Sequence, residues 1–235
     1  YTPGDRLVAQ YLLQLWPGLE RDMLLDWVHD QNDEVKRAIS SLIFALHSNY
    51  SELPGYARTT NMTLVVQSFL GELRDLNRHR AWGRFVPLPL VFGEALTKDS
   101  VDQILARGFG LPLYLTEVPA FASQKELFEQ DLYRYYQKLQ AFLDRVAERY
   151  GKTIDYSFML NLLPLAHQVD IWLHGDPKQA LYLTMQRVRP GGHINYRALA
   201  YEANQLLAEH DPYLAALRLM ERPDAGSQAE FFDRS

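Results

Sequence analysis

Apolar residues that recur three and four positions apart run through most of this chain, and they constrain its fold more than any other feature. In the first such segment they share one helical face: Leu7, Val8, Tyr11, Leu12 and Leu15. Further helices are predicted for residues 19–29, 33–46, 69–80, 97–106, 123–150, 177–187 and 193–209. Asn32 is the expected cap of the helix at 33–46, and Ser123–Glu126 form an expected capping box at the start of the helix at 123–150. The sequence therefore predicts a mainly helical protein.

A few shorter segments favour β-structure instead. Strands are predicted at Thr60–Gln67, Leu111–Thr116 and His167–His174, and Val86–Phe92 is an edge strand or an ordered loop. In the third strand, Val169, Ile171 and Leu173 are expected on one face. Because helices or loops separate these strands, we expect an α+β fold that is mainly helical, with a small antiparallel sheet. We expect one domain over residues 1–220, including the N-terminal helices, and a loose tail over residues 221–235.

Composition narrows the class of protein further. The 235 residues include no cysteine, which excludes disulfides, zinc–thiolate sites and cysteine nucleophiles. The seven histidines show no metal-binding spacing, so we expect no metal site. A net charge of -5 argues against general nucleic-acid binding, and no apolar run is long enough for a membrane helix. We therefore expect a soluble cytoplasmic protein. Because the sequence begins at Tyr1 rather than Met, we also expect that a partner domain could lie upstream.

Two basic clusters carry the functional hypotheses, and the first follows the first predicted strand. It contains Arg74, Arg78, His79, Arg80 and Arg84. Positive charge at the end of a helix is favoured by the helix dipole, so a solvent-exposed, charge-capped helix end is one interpretation. An anion site is the other, since Arg74 and Arg78 would share one face of a helix that Ser68 caps.

The second cluster surrounds a glycine pair. Arg187 and Arg189 precede Gly191-Gly192, and His193 and Arg197 follow at the start of a predicted helix. Glycines before a helix let its free N–H groups approach an anion, and residues four apart share a helix face. An ordinary connection between two helices, with Arg197 paired to a surface carboxylate, is the alternative.

The residues around these clusters resemble the flavin-dependent thymidylate synthases. The run Phe69–Arg80 ends in Arg-His-Arg and resembles the signature helix of that family, whose motif R-H-R-x-x-S begins at a helix end. Downstream, Leu163-Pro164 precedes a predicted strand, and Asp176-Pro177 opens a helix ending at Arg187, as in the family's C-terminal half. The resemblance covers residues 51–212, most of the chain.

This resemblance implies a function. Members of the family methylate dUMP to dTMP with methylenetetrahydrofolate as carbon donor, reduced FAD as hydride source and NADPH as reductant of the flavin. They are homotetramers that bind FAD and dUMP where subunits meet, and they need no protein nucleophile, so no catalytic residue is assigned. The implied FAD-binding residues are Arg78, His79, Arg80 and His193. The implied substrate-binding residues are Arg74, Arg187 and Arg197.

Departures from the family pattern leave a second hypothesis open. Gly83 stands where the family has its serine, and the dUMP-embracing loop is replaced by the apolar, proline-bearing run Arg84–Leu90. Asp75 stands where the family has glutamine, and it could pair with Arg78 or Arg74. The alternative is therefore a non-catalytic flavin- or nucleotide-binding domain of the same fold that supports a partner domain. A helical interaction module that carries the motif by chance is a third hypothesis.

Overall fold

The structure is a computed structural model, and it describes residues 1–45, 55–58, 60–78, 80–86, 110–151, 161–217 and 221–228. The predicted helix at 97–106, most of the segment 86–92, and His79 lie outside the described residues.

Eight helices and three strands make up the described regular structure, apart from short 3₁₀ turns. The helices are α1 (Pro3–Leu15), α2 (Arg21–His29), α3 (Asp33–Ile43), α4 (Leu70–Leu76), α5 (Leu113–Glu117), α6 (Ala122–Tyr150), α7 (Pro177–Val188) and α8 (Ile194–His210). The strands are β1 (Met62–Phe69), β2 (Gly83–Phe85) and β3 (Gln168–Gly175).

The three strands form one small sheet in the order β1-β3-β2. Thr63 lies opposite His174, with its hydroxyl 3.0 Å from the imidazole Nδ1. At the other end of this pair, the Leu70 N–H donates to the His167 carbonyl at 3.0 Å, which sets an antiparallel register. The predicted fold class, α+β and mainly helical with a small antiparallel sheet, is confirmed.

The described chain divides into two compact units. One comprises residues 1–66, 79–84 and 172–223, and the other comprises residues 67–78, 85–171 and 224–235. The predicted boundary at residue 220 stays a prediction.

The core of the first unit is built by α1, α2 and α3 around the 3₁₀ turn Pro212–Leu217. Leu7, Val28 and Tyr213 are among its fully buried side chains. The Tyr213 hydroxyl donates to the Val28 carbonyl at 2.7 Å, and the Ser40 hydroxyl donates to the Tyr213 carbonyl at 2.6 Å. The hydroxyl and the carbonyl of this buried tyrosine therefore both have hydrogen-bond partners, as buried polar groups need.

The second unit is dominated by α6. Its buried side chains recur at helical spacing: Leu132, Tyr136, Leu139 and Leu143. The Tyr136 hydroxyl lies 3.0 Å from His167 Nδ1, which joins the helix to the segment that leads into β3.

Three local predictions are wrong, each for a local reason. The predicted strand Leu111–Thr116 is instead largely α5: Pro112 lacks the N–H that a strand ladder needs, and it takes the N-cap position of this helix. The predicted capping box at Ser123 is absent, since α6 follows a 3₁₀ turn and Ser123 donates to Gln124 instead. Helix α4 is shorter than predicted at both ends: Phe69 is its N-cap, because the Ser68 hydroxyl donates to the Glu72 side chain and does not cap the helix, and the helix ends at Leu76 rather than near Arg80.

Other local predictions are confirmed. Asn32 caps α3 by accepting from the Val35 N–H. Asp176 and Pro177 open α7 as predicted. Val169, Ile171 and Leu173 are the buried alternate positions of β3.

A buried carboxylate ties the N-terminus of α1 to α2 and α3. Asp5 is fully buried, accepts from the Thr2 N–H at 2.7 Å, and lies 2.8 Å from His29 Nδ1. The Lys36 ammonium, itself nearly buried, lies 3.5 Å away. Burial alone would raise the pKa of Asp5, but the His29 and Thr2 hydrogen bonds and the Lys36 charge outweigh it and hold that pKa below its ordinary value.

We expect the substitution Asp5→Ala to lower the free energy of unfolding by about 3–5 kcal/mol, because it leaves the Lys36 ammonium buried without its partner. Urea denaturation followed by circular dichroism measures this change. Asp33→Ala is the matched control: it breaks the exposed Asp33–Arg37 pair, and we expect it to change stability by no more than about 0.5 kcal/mol. Equal effects of the two substitutions would contradict the assignment of Asp5 as a structural anchor.

Candidate functional site

The second basic cluster is positioned by α7, which begins where β3 ends. Asp176 caps this helix by accepting from the Gln179 N–H at 2.8 Å, and the Gln179 side chain accepts from the Asp176 N–H at 3.0 Å. Pro177 occupies the first helical position, where its fixed φ suits the helix. The direction of α7, and therefore the place of Arg187 in its last turn, is set from its first residues.

The turn between α7 and α8 depends on its two glycines. Gly191 has a φ of 89°, in the left-handed region that favours glycine. Gly192 lies under the Tyr196 hydroxyl, and a β-carbon at this position would overlap that hydroxyl. His193 is the N-cap of α8, and its Nδ1 accepts from the Asn195 N–H at 3.4 Å. A neutral His193 with this bond carries its proton on Nε2.

Arg187 is held against an aromatic ring with part of its guanidinium unsatisfied. Its Cζ lies 5.8 Å from the centroid of the Tyr196 ring, a cation–π distance. Its Nε is buried and makes no hydrogen bond to any residue that the structure describes. A buried N–H donor without an acceptor is costly, so this atom points to a ligand acceptor.

Arg197 lies one helical turn after His193 on α8. Its Nε donates to the Val188 carbonyl at 3.0 Å, and it therefore caps the C-terminal end of α7. This bond joins α7 and α8 across the glycine turn. The alternative interpretation predicted that Arg197 would pair with a surface carboxylate, and Arg197 contacts this carbonyl instead. A role of Arg197 in substrate binding stays a prediction.

The first basic cluster lies beyond the end of α4. Arg78 Nε lies 3.4 Å from Asp75 Oδ1, and the Arg78 side chain is two-thirds exposed. The Arg78 guanidinium is therefore open to solvent over most of its surface and can contact an anion, whereas the Asp75 side chain is only 18% exposed. Arg80 is exposed, His79 is outside the described residues, and the side chain of Arg74 is not described.

The segment that carries Arg80 is anchored at the beginning of α7. Gln179 Nε2 donates to the Ala81 carbonyl at 2.9 Å, and the buried Trp82 ring packs where a β-carbon at Gly175 would lie 3.1 Å from it. At 1.5 Å of rise per residue, Gln179 and Arg187 are roughly 12 Å apart along the helix axis. The structure therefore places the Arg80 segment and Arg187 at opposite ends of one helix.

Sequence reasoning missed two residues. The Tyr196 ring lies against the Arg187 guanidinium. The sequence signal for Tyr196 was Gly192, four residues earlier, because a side chain at that position would overlap the Tyr196 hydroxyl. Glu72 was missed as well; it is a carboxylate inside an otherwise apolar segment.

Glu72 is a buried acid near the start of α4. It accepts a hydrogen bond from the Ser68 hydroxyl through Oε2, while its Oε1 is buried without a partner among the described residues. Burial raises the pKa of Glu72 to about 7, and the hydrogen bonds from Ser68 and the Phe69 backbone only partly oppose this shift. The carboxyl therefore changes protonation near neutral pH.

We expect the free energy of unfolding to fall as pH rises from about 4.5 to about 7, because the folded state binds the Glu72 proton more tightly than the unfolded state. The contribution is complete below the unfolded pKa and is lost as pH passes the folded pKa; its upper limit is about 3 kcal/mol. Glu72→Gln, which keeps the shape without the titration, should remove this slope in urea denaturation at a series of pH values. Glu129→Gln on the exposed face of α6 is the control and should keep it, and the same slope in wild type and Glu72→Gln would contradict the argument.

No protein-family model matches the chain, and no curated protein sequence matches it. Among solved structures, the crystal structure of the UMP/dUMP methylase PolB from Streptomyces cacaoi, bound with 5-Br dUMP, has a TM-score of 0.57 and 13% identity, over 94% of this chain and 92% of that chain. The chain therefore shares its fold with that protein along nearly its whole length.

Two features are absent from the part of the chain that the structure describes. No helix among them is long and apolar enough to cross a membrane. No three acidic or histidine side chains among them are grouped so that they could hold a metal ion.

Proposed function

We propose that the protein binds a uridine-type nucleoside monophosphate and methylates it, converting dUMP to dTMP with methylenetetrahydrofolate as carbon donor and reduced FAD and NADPH as reductants. The observation that carries the proposal is the buried, unpartnered Nε of Arg187 within a fold shared with a UMP/dUMP methylase. The reaction itself is inferred from the resemblance of the sequence to the flavin-dependent thymidylate synthases.

Arg187 supplies the phosphate contact in this proposal. An arginine fork suits a phosphate because two parallel N–H groups can donate to two oxygens. The Tyr196 ring restricts the guanidinium without using any of its N–H donors. The adjacent glycine turn and the N-terminus of α8 add partial positive charge, with His193 at the N-cap.

We expect Arg187→Ala to weaken dUMP binding roughly tenfold to a hundredfold, because it removes charge-assisted hydrogen bonds to the phosphate. Isothermal titration calorimetry with dUMP and with deoxyuridine measures this. The wild type should bind dUMP much more tightly than deoxyuridine, and Arg187→Ala should remove most of that preference. Arg134→Ala, in an exposed pair on α6, is the matched control. Unchanged dUMP affinity in Arg187→Ala would reject Arg187 as the phosphate ligand.

FAD is proposed as the cofactor, and the chemistry of the first basic cluster fits its pyrophosphate. Arg78 and Arg80 are exposed cations two positions apart, and Arg78, although paired with Asp75, keeps a guanidinium that is two-thirds exposed and can donate to a phosphate. In this proposal Arg78, His79 and Arg80 hold the cofactor, together with His193. Bound and reduced, the flavin would supply the hydride; the chain supplies positive charge and orientation.

We expect the purified protein to retain FAD after desalting, visible as flavin absorption bands, and Arg78→Ala to lose most of it because a cationic contact to the pyrophosphate is removed. Arg37→Ala removes an exposed arginine that is paired at helical spacing, and it should retain flavin like the wild type. Equal retention by Arg78→Ala and wild type, or no retention by either, would count against this cofactor site.

A second candidate function has one observation in its favour. The Asp75 carboxylate next to Arg78 puts a negative charge inside the proposed pyrophosphate site. A domain of the same fold that binds a nucleotide without catalysis, and supports a partner domain or a second copy, would tolerate that charge. Tritium release from dUMP labelled at C5, assayed with FAD, NADPH and methylenetetrahydrofolate, separates the two: release supports methylation, and nucleotide binding without release supports the second candidate.

A further inference from the structure

The three N-terminal helices leave an apolar groove open on the surface of the first unit. It encloses about 530 Å³ and is bordered by α1, α2 and α3. The residues lining it include Leu15, Trp16, Leu19, Trp27, Ile39 and Leu42. None of these residues belongs to the two basic clusters of the proposed function.

Several of the large apolar side chains that line this groove are exposed. Leu42 is 79% exposed, and Trp16 and Trp27 are each about half exposed, at 55% and 49%. Met23 on α2 is also exposed, at 58%. Scattered exposed apolar residues are ordinary, but a contiguous patch that includes two tryptophans is typical of an interaction surface.

The charges along α2 are predominantly acidic. Exposed carboxylates occur at Glu20, Asp22, Asp26 and Asp30. Glu20 lies one helical turn before the groove residue Leu24, and Asp30 lies one turn after Trp27. Arg6 and Arg21 line a different, much smaller cavity. The groove is therefore apolar inside and carries an acidic border on its α2 side.

We propose that this groove binds an amphipathic helix of a partner protein, one that presents a continuous apolar face flanked by lysine or arginine. An apolar face on a helix places anchors at i, i+3, i+4 and i+7, which fits an apolar groove bordered by three helices. Basic flanking residues complement Glu20 and Asp30, and they would fix the orientation of the helix. The acidic border disfavours an anionic membrane surface as the occupant.

A synthetic helical peptide of leucine and lysine tests the proposal on the full chain. Its binding is followed by the change in tryptophan fluorescence, since Trp16 and Trp27 line the groove. We expect Leu42→Asp to weaken binding at least about tenfold. The double variant Glu20→Gln, Asp30→Asn should weaken it less and should reduce its dependence on salt. A peptide of leucine and glutamate should bind the wild type at least about tenfold more weakly.

The matched control is Leu206→Asp, which puts the same new charge at an exposed leucine of α8 outside the groove. It should bind the leucine–lysine peptide like the wild type, and circular dichroism should show both aspartate variants folded. Equal loss in Leu206→Asp and Leu42→Asp, or equal binding of the two peptides, would overturn the proposal. Light scattering that shows a dimer of the wild type and a monomer of Leu42→Asp would overturn it too, because a second copy would then fill the groove.

Discussion

The hydrogen bonds of the Gln179 side chain hold the first unit in the arrangement on which the candidate site depends. Its oxygen accepts from the Asp176 N–H, which fixes the start of α7 at the end of β3, and its amide nitrogen donates to the Ala81 carbonyl. One side chain thereby joins a strand, a helix and the segment that carries Arg80. Gly175 contributes by leaving room for the Trp82 ring against the same corner. The position of Arg187, at the far end of α7, follows from this anchor.

The elements with a local chemical cause could be predicted from the sequence. Asp176-Pro177 and Asn32 are N-cap signals that act within four residues, and both helices start where expected. The alternation in β3 marks its buried face without reference to the rest of the chain. The end of α4 is harder to predict, because the residue types that follow it all tolerate a helix. The Asn77 N–H still donates to the Leu73 carbonyl at 2.8 Å, and the next bond, from the Arg78 N–H to the Asp75 carbonyl, is a weaker 3₁₀-like bond of 3.4 Å. The helix α5 was missed because Leu111–Thr116 is a short, mostly apolar run, and such runs cannot be assigned to strand or helix by periodicity.

The candidate site was predictable in its residue types but not in its contacts. The arginines, His193 and the glycine pair stand out in the sequence because positive charge and backbone freedom suit an anion. Which arginine is left with an unsatisfied buried donor depends on contacts between helices: Arg197 bonds the Val188 carbonyl, whereas Arg187 lies against Tyr196. Glu72 shows the same limit, since its raised pKa results from tertiary burial that no spacing of residues reveals.

The proposed function requires a nucleoside monophosphate to bind with its phosphate on Arg187. The most direct measurement is a crystal structure of the protein grown with 5-Br dUMP, in which anomalous scattering from bromine locates the base. We predict a phosphate within hydrogen-bond distance of the Arg187 guanidinium, beside the N-terminus of α8. Bromine signal with the phosphate bound elsewhere on the chain, or crystals without bound nucleotide at a saturating concentration, would contradict it.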